Sequence, residues 1–172
     1  SNRPSLARPP VTWNAPTVPS LLRPSNQLVA NAGLYWVCYK LTLLGWNVLP
    51  TSRNARGVDI VIYNEDATVT RTVQVKTLSK KSPVPLGEHL DHLIADVVIV
   101  ARDVAGVPLA FLLTPNEVRS GVHRGEKNGK VSYWLQPGAY ERPEFRERWD
   151  KVGALVAPKS ALVLMNRNCT GS

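Results

Sequence analysis

Cysteine is nearly absent from this chain: two in 172 residues, Cys38 and Cys169. Two thiols so far apart build neither a disulfide framework nor a zinc site. Cys38 falls within an apolar run and reads as a small buried hydrophobe. Long apolar runs are missing too. None approaches the roughly 18–20 residues that cross a bilayer, and no secretory signal is legible. The expectation is a cytoplasmic protein with no membrane partner. Acid is scarce as well: 13 Asp and Glu stand against 21 Lys and Arg, a net charge of +8. A basic surface keeps a protein soluble, and it also attracts polyanions, nucleic acid foremost.

What is present fits one domain with a core of ordinary size. Residues 1–24 hold six prolines, three arginines and no acid, the composition of an extended, flexible arm. Residues 25–165 read as the folded domain and 166–172 as a flexible tail.

Ser25 or Asn26 is placed to cap a helix running to Leu44, with Gly45 beyond it. That helix is apolar on nearly every side, Lys40 being its one charge. It should lie between layers or at an interface, a second copy of the chain included. Short strands follow at 46–50, 57–63 and 68–78, the last two joined as a hairpin. Two apolar runs, 93–100 and 108–113, read as further strands. Thr114-Pro115-Asn116-Glu117 is a helix start with Thr as N-cap, Pro at N1 and Glu at N3. Residues 124–130 read as a basic loop, 130–135 as a strand, 144–153 as an amphipathic helix, and 160–165 as a last apolar piece. The order indicates a mixed α/β domain.

The chemistry-bearing pattern lies in two of these strands. Asp59 enters an otherwise apolar run, Gly57-Val58-Asp59-Ile60-Val61-Ile62-Tyr63, and Gln74 and Lys76 sit in Thr72-Val73-Gln74-Val75-Lys76-Thr77. A charged group among core residues is expensive without a partner or a task. Gln74 and Lys76 share a strand face, and a regular hairpin brings Asp59 beside them. The oxygens of such a set suit Mg²⁺, or Mn²⁺, while a lysine can act on a water or on a phosphorane-like transition state.

The helix, the basic loop 51–57, the Gly-x-Asp strand, the hairpin and the Gln-x-Lys strand together resemble the PD-(D/E)xK nuclease superfamily, restriction endonuclease-like and Holliday-junction-resolvase-like. The likeness spans roughly residues 26–113. It implies a mixed central sheet with flanking helices and an αβββαβ core, and a metal-dependent DNA endonuclease. By it Asp59 binds metal, Gln74 fills the second acidic position, the Val75 backbone carbonyl assists, and Lys76 acts on water. Two departures stand out. Val58 replaces the name-giving proline, and Gly33-Leu34 stands where the superfamily has a Gly-Glu step on the first helix. With one carboxylate left, Mg²⁺ should bind more weakly. Asn31, three residues before Leu34 and on the same helix face, is a candidate neutral ligand. A nuclease-fold module that binds DNA or a protein without cutting is the alternative.

Arg53, Arg56, Lys80 and Lys81 flank the Asp59 strand pair and are candidates for phosphate contact. His89 and His92 have helical spacing beside Glu88 and Asp91 and read as a solvated short helix, although either acid could swing toward the site. Trp36, Trp46 and Trp149 read as core. Tyr133 and Trp134 pack, or stack on a splayed base. Trp13 in the arm is an anchor if that arm docks.

Overall fold

The computed structural model describes residues 25–52 and 56–153. The arm, Arg53 to Ala55, the 160–165 run and the tail lie outside them. The first helix, α1 (Asn26–Leu43), begins where Ser25 Oγ accepts from the Leu28 N–H at 3.3 Å. Strands β1 (Asn47–Pro50), β2 (Ile60–Tyr63), β3 (Thr70–Leu78), β5 (Val97–Arg102) and β6 (Leu109–Leu113) make one sheet in the order β1-β2-β3-β5-β6. Neighbours run antiparallel except β3 and β5, which are parallel. This is a mixed α/β fold in which the helix and three strands follow in the αβββ order. The crossover from β3 to β5 passes through β4 (Val84–Gly87), which pairs into a second, three-stranded sheet, β4-β8-β7.

Strand alternation gives the large sheet two buried faces. Ile60, Ile62, Val73, Val97 and Ile99 pack under α1 with Val37, Leu41 and Trp46. On the other face Leu78, Val98, Val100 and Leu113 pack against β4 and β8 with Leu86, Leu135 and Tyr140. Each such side chain contributes about 1.5–3 kcal/mol by leaving water. Continuous apolar strands are what a sheet covered on both faces requires. Gly33 lets α1 approach β3, because a Cβ there would come within 2.0 Å of Thr77 Oγ1. The outward side of α1 is left open, with Leu28, Tyr35, Tyr39 and Leu43 each more than half exposed.

Several expected elements differ. Val122–Lys127 is a strand, β7, paired with β8 (Lys130–Leu135), where a basic loop was expected. Its turn, Asn128-Gly129, has φ of 52° and 72°, the pair of positive values that a two-residue hairpin needs. Residues 88–92 form turns, not a short helix. The helix expected at 144–153 is replaced by a loop and a single 3-10 turn, Trp149–Val152. There Phe145 O accepts from Leu112 N–H, Glu147 N–H donates to Ala110 O, and the Glu147 carboxylate accepts from Ala110 N–H. Satisfying the open edge of β6 outweighed local helix propensity. The Thr114 cap, by contrast, forms with both reciprocal bonds and opens α2 (Pro115–Gly121). A one-turn helix, α3 (Pro137–Tyr140), follows β8.

Candidate active site

Asp59 sits where β2 loses its regular pairing. Ile60 is registered with Val73, and the Asp59 N–H donates to the Val73 carbonyl as well, at 2.9 Å. Two residues of one strand thus face one of the other, a β-bulge, which re-aims the side chain. The Asp59 carboxylate turns to the edge of β3 and accepts from the Val75 N–H at 2.7 Å. Within a strand the N–H and C=O of one residue point to the same edge, so the Val75 carbonyl faces this spot too. Asp59, Val75, Thr77, Asn31, Leu34 and Thr51 line a cleft of about 340 Å³ between α1 and the sheet.

Gln74 and Lys76 point from the face of β3 opposite Val75 and Thr77, and neither lines that cleft. The bulge separates Asp59 from the face it would share with them in a regular hairpin. Lys76 remains in electrostatic reach of Asp59. Burial pushes its ammonium below the ordinary lysine value, and the attraction of Asp59 opposes that shift only in part. Gln74 is 5% exposed, and its Oε1 has no hydrogen-bond partner among the described residues. Asn31 does reach the cleft, with its Oδ1 accepting from Gln27 Nε2 at 2.8 Å.

The flanking bases divide. Arg53 lies outside the described residues. Arg56 pairs with Asp91, and Lys81 with Glu141 at 2.7 Å, so both charges are engaged. Lys80 is exposed and forms no ion pair among the described residues. Asp91 therefore faces the loop before Asp59, while Glu88 lies beside the β7–β8 hairpin.

Sequence reasoning missed three participants. Thr51 closes the cleft, its hydroxyl donating to the Val58 carbonyl at 2.7 Å. Thr77 lines it from β3. His92 is half-buried against the Gly57 loop, and burial, then the charge of Lys76, lower its pKa. Gly57 carries φ +71°, and a Cβ there would lie 2.1 Å from the His92 carbonyl oxygen. The Gly-x-Asp spacing is the one signal that pointed to this close approach.

No protein-family model and no curated protein matches the chain. Among solved structures it is similar to a bacterial homing endonuclease, I-Ssp6803I, at 13% identity and a TM-score of 0.48, over 87% of this chain and all of that one. It is also similar to the Holliday junction resolvase Hjc of Archaeoglobus fulgidus, at 16% identity and a TM-score of 0.43, over 62% of this chain and 90% of that one. Both have restriction endonuclease-like folds of the PD-(D/E)xK type. At these values the likeness is one of outline, and the chemistry rests on the residues themselves.

Proposed function

We propose that the protein is a metal-dependent endonuclease that hydrolyses phosphodiester bonds in DNA, with residues 25–165 as its single nuclease domain and a cytoplasmic setting. The observation that carries this reading is the Asp59 carboxylate, re-aimed by a bulge onto the strand that bears Lys76. One carboxylate oxygen holds Val75 N–H. The other, with the Val75 carbonyl and Asn31 Oδ1, offers hard oxygen donors to Mg²⁺ or Mn²⁺. Gln74 Oε1, buried on the other face of β3, stands outside this donor set. The set fits a hard cation held weakly and completed by waters and substrate phosphate.

Such an ion supplies charge neutralisation at phosphorus and a more acidic water. In hydrolysis a water oxygen bonds to phosphorus while one ester oxygen leaves. Lys76, with its depressed pKa, orients that water or takes its proton. Lys80 and Arg53 would hold flanking phosphates, as would Arg56 and Lys81 on exchanging their carboxylate partners for substrate.

One observation favours the alternative, a nuclease-fold module that binds without cutting. The described residues contain no group of three His, Cys, Asp or Glu able to hold a metal, and Leu34 lines the cleft. Plasmid nicking with Mg²⁺ or Mn²⁺ separates the two. Cleavage by the wild type, abolished in Asp59→Ala and Lys76→Ala, supports the nuclease. Salt-sensitive binding with no cleavage selects the module.

A further inference from the structure

The outer face of the second sheet carries side chains the fold does not use. Trp134, in the central strand β8, is 37% exposed. It stands across from Pro85 on β4 and His123 on β7. Its indole N–H donates to Ser132 Oγ at 3.1 Å on the same strand, which satisfies the ring's one polar group without covering its flat face. At the hairpin end Lys127 and Lys130 stand directly opposite each other, a like-charge pairing that destabilises a sheet unless an anion lies between or above the two. Neither forms an ion pair among the described residues. The nearby Glu126 is paired with Arg124 instead.

Trp134 is the shared wall of two clefts. One, of about 550 Å³, holds Lys127, Lys130 and Ser132, with Glu88 as the one acid in its lining. The other, of about 760 Å³, holds Asn26, Lys80 and Ser82 and no acid. Thr77 borders this second cleft and the Asp59 cleft alike. Shared walls therefore link the three clefts in order, from Asp59 through Thr77 and Lys80 to Trp134 and the two lysines. Cations alternating with one open aromatic face suit a single strand, whose phosphates follow the charges while a base stacks on the ring. A duplex hides its base faces and cannot use the ring.

We propose that Trp134, with Lys127 and Lys130, is a stacking platform for an unpaired nucleic-acid strand leaving the Asp59 cleft, so that the substrate carries a single-stranded segment beside the scissile bond. The direction of that strand rests on the nuclease reading above; the platform itself does not.

The test is fluorescence anisotropy with the full chain in EDTA, using a labelled single-stranded oligonucleotide, a blunt duplex and a duplex with a single-stranded extension. The wild type is expected to prefer the two probes with unpaired bases. Trp134→Ala should weaken them about tenfold or more, and Trp134→Phe should recover most of that loss. Lys127→Ser with Lys130→Ser should lower the salt slope by about 1.4, some 0.7 for each single-strand phosphate that is no longer neutralised. Thermal melting checks that each variant is folded. Equal affinity of Trp134→Ala and wild type for the unpaired probes overturns the proposal, as does a wild type that prefers the blunt duplex. A protein with no oligonucleotide affinity at low salt overturns it as well, leaving a peptide as the clefts' occupant. If the strand preference survives while no cleavage is found with Mg²⁺ or Mn²⁺, the nuclease reading fails alone. If DNA is cut but binding ignores Trp134, the platform fails alone.

Discussion

The Asp59 carboxylate occupies the edge of β3 that β2 has vacated, accepting at 2.7 Å from the Val75 N–H. One side chain thereby serves as a sheet partner and as the negative centre of the cleft. These roles separate by substitution. Asp59→Asn keeps an oxygen for Val75 and loses the charge; Asp59→Ala loses both. Both should reduce metal-dependent nicking at least a hundredfold. In urea titrations Asp59→Ala should lose about 1–3 kcal/mol, the usual effect of leaving a partly buried donor unpaired, and Asp59→Asn clearly less.

Lys76 is held where its charge is disfavoured, with burial the larger cause and Asp59 the smaller, opposing one. Folded Lys76 therefore releases its proton below the ordinary value of 10.5. Between the two pKa values the unfolded chain binds more protons, and stability rises with pH. Below that window the burial penalty is present in full. Lys76→Met is expected to melt higher than wild type at pH 7, with the gap closing as pH approaches 10.5. Cleavage should be lost in the same variant, and wild-type cleavage should increase with pH as Lys76 deprotonates. A Lys76→Met protein less stable than wild type at neutral pH would contradict the burial argument.

Local rules carried the sequence reading far where one segment contains the whole reason. Thr114-Pro115-Asn116-Glu117 closes its capping box within four residues, and the structure has it. Asn128-Gly129 was as local a signal, yet the charges before it masked the first of the two strands it joins. Phe145, Trp149 and Val152 have helical spacing, but their segment is bonded to the edge of β6, more than thirty residues away. The bulge at Asp59 likewise depends on a partner strand, its carboxylate bonding a residue 16 positions on. Apolar alternation marks which residues face the core, and it carries no sign of the extra residue that turned Asp59 toward α1 and away from Gln74.

Gly33 makes α1 and β3 a single packed unit. Gly33→Ala gains some helix propensity, but its methyl meets Thr77 at 2.0 to 2.7 Å. Overpacking should dominate, with a loss of about 1–3 kcal/mol in urea. Thr77→Ala on the same chain removes the two closest atoms and leaves the one at 2.7 Å, so the double variant should recover only part. Full recovery would mean that α1 shifts freely over the sheet.

Leu34 lines the cleft with Asp59 and Asn31, and also packs against the core under α1. Leu34→Glu puts a second carboxylate there. Without metal the two anions repel, and the new one is partly buried without a partner, so the variant should be less stable in EDTA by about 1–3 kcal/mol. Mg²⁺ or Mn²⁺ should reverse that order of effects, since a hard divalent ion prefers two carboxylates to one. The variant's melting temperature should therefore climb more steeply with added Mn²⁺ than the wild type's, because an ion that binds only the folded state stabilises it in proportion to its affinity. Adding Asp59→Ala to Leu34→Glu must remove most of that response if the two carboxylates share one ion. A metal response equal in Leu34→Glu and wild type would show that residue 34 stands too far from Asp59 to complete a site, and would favour the binding module over the nuclease.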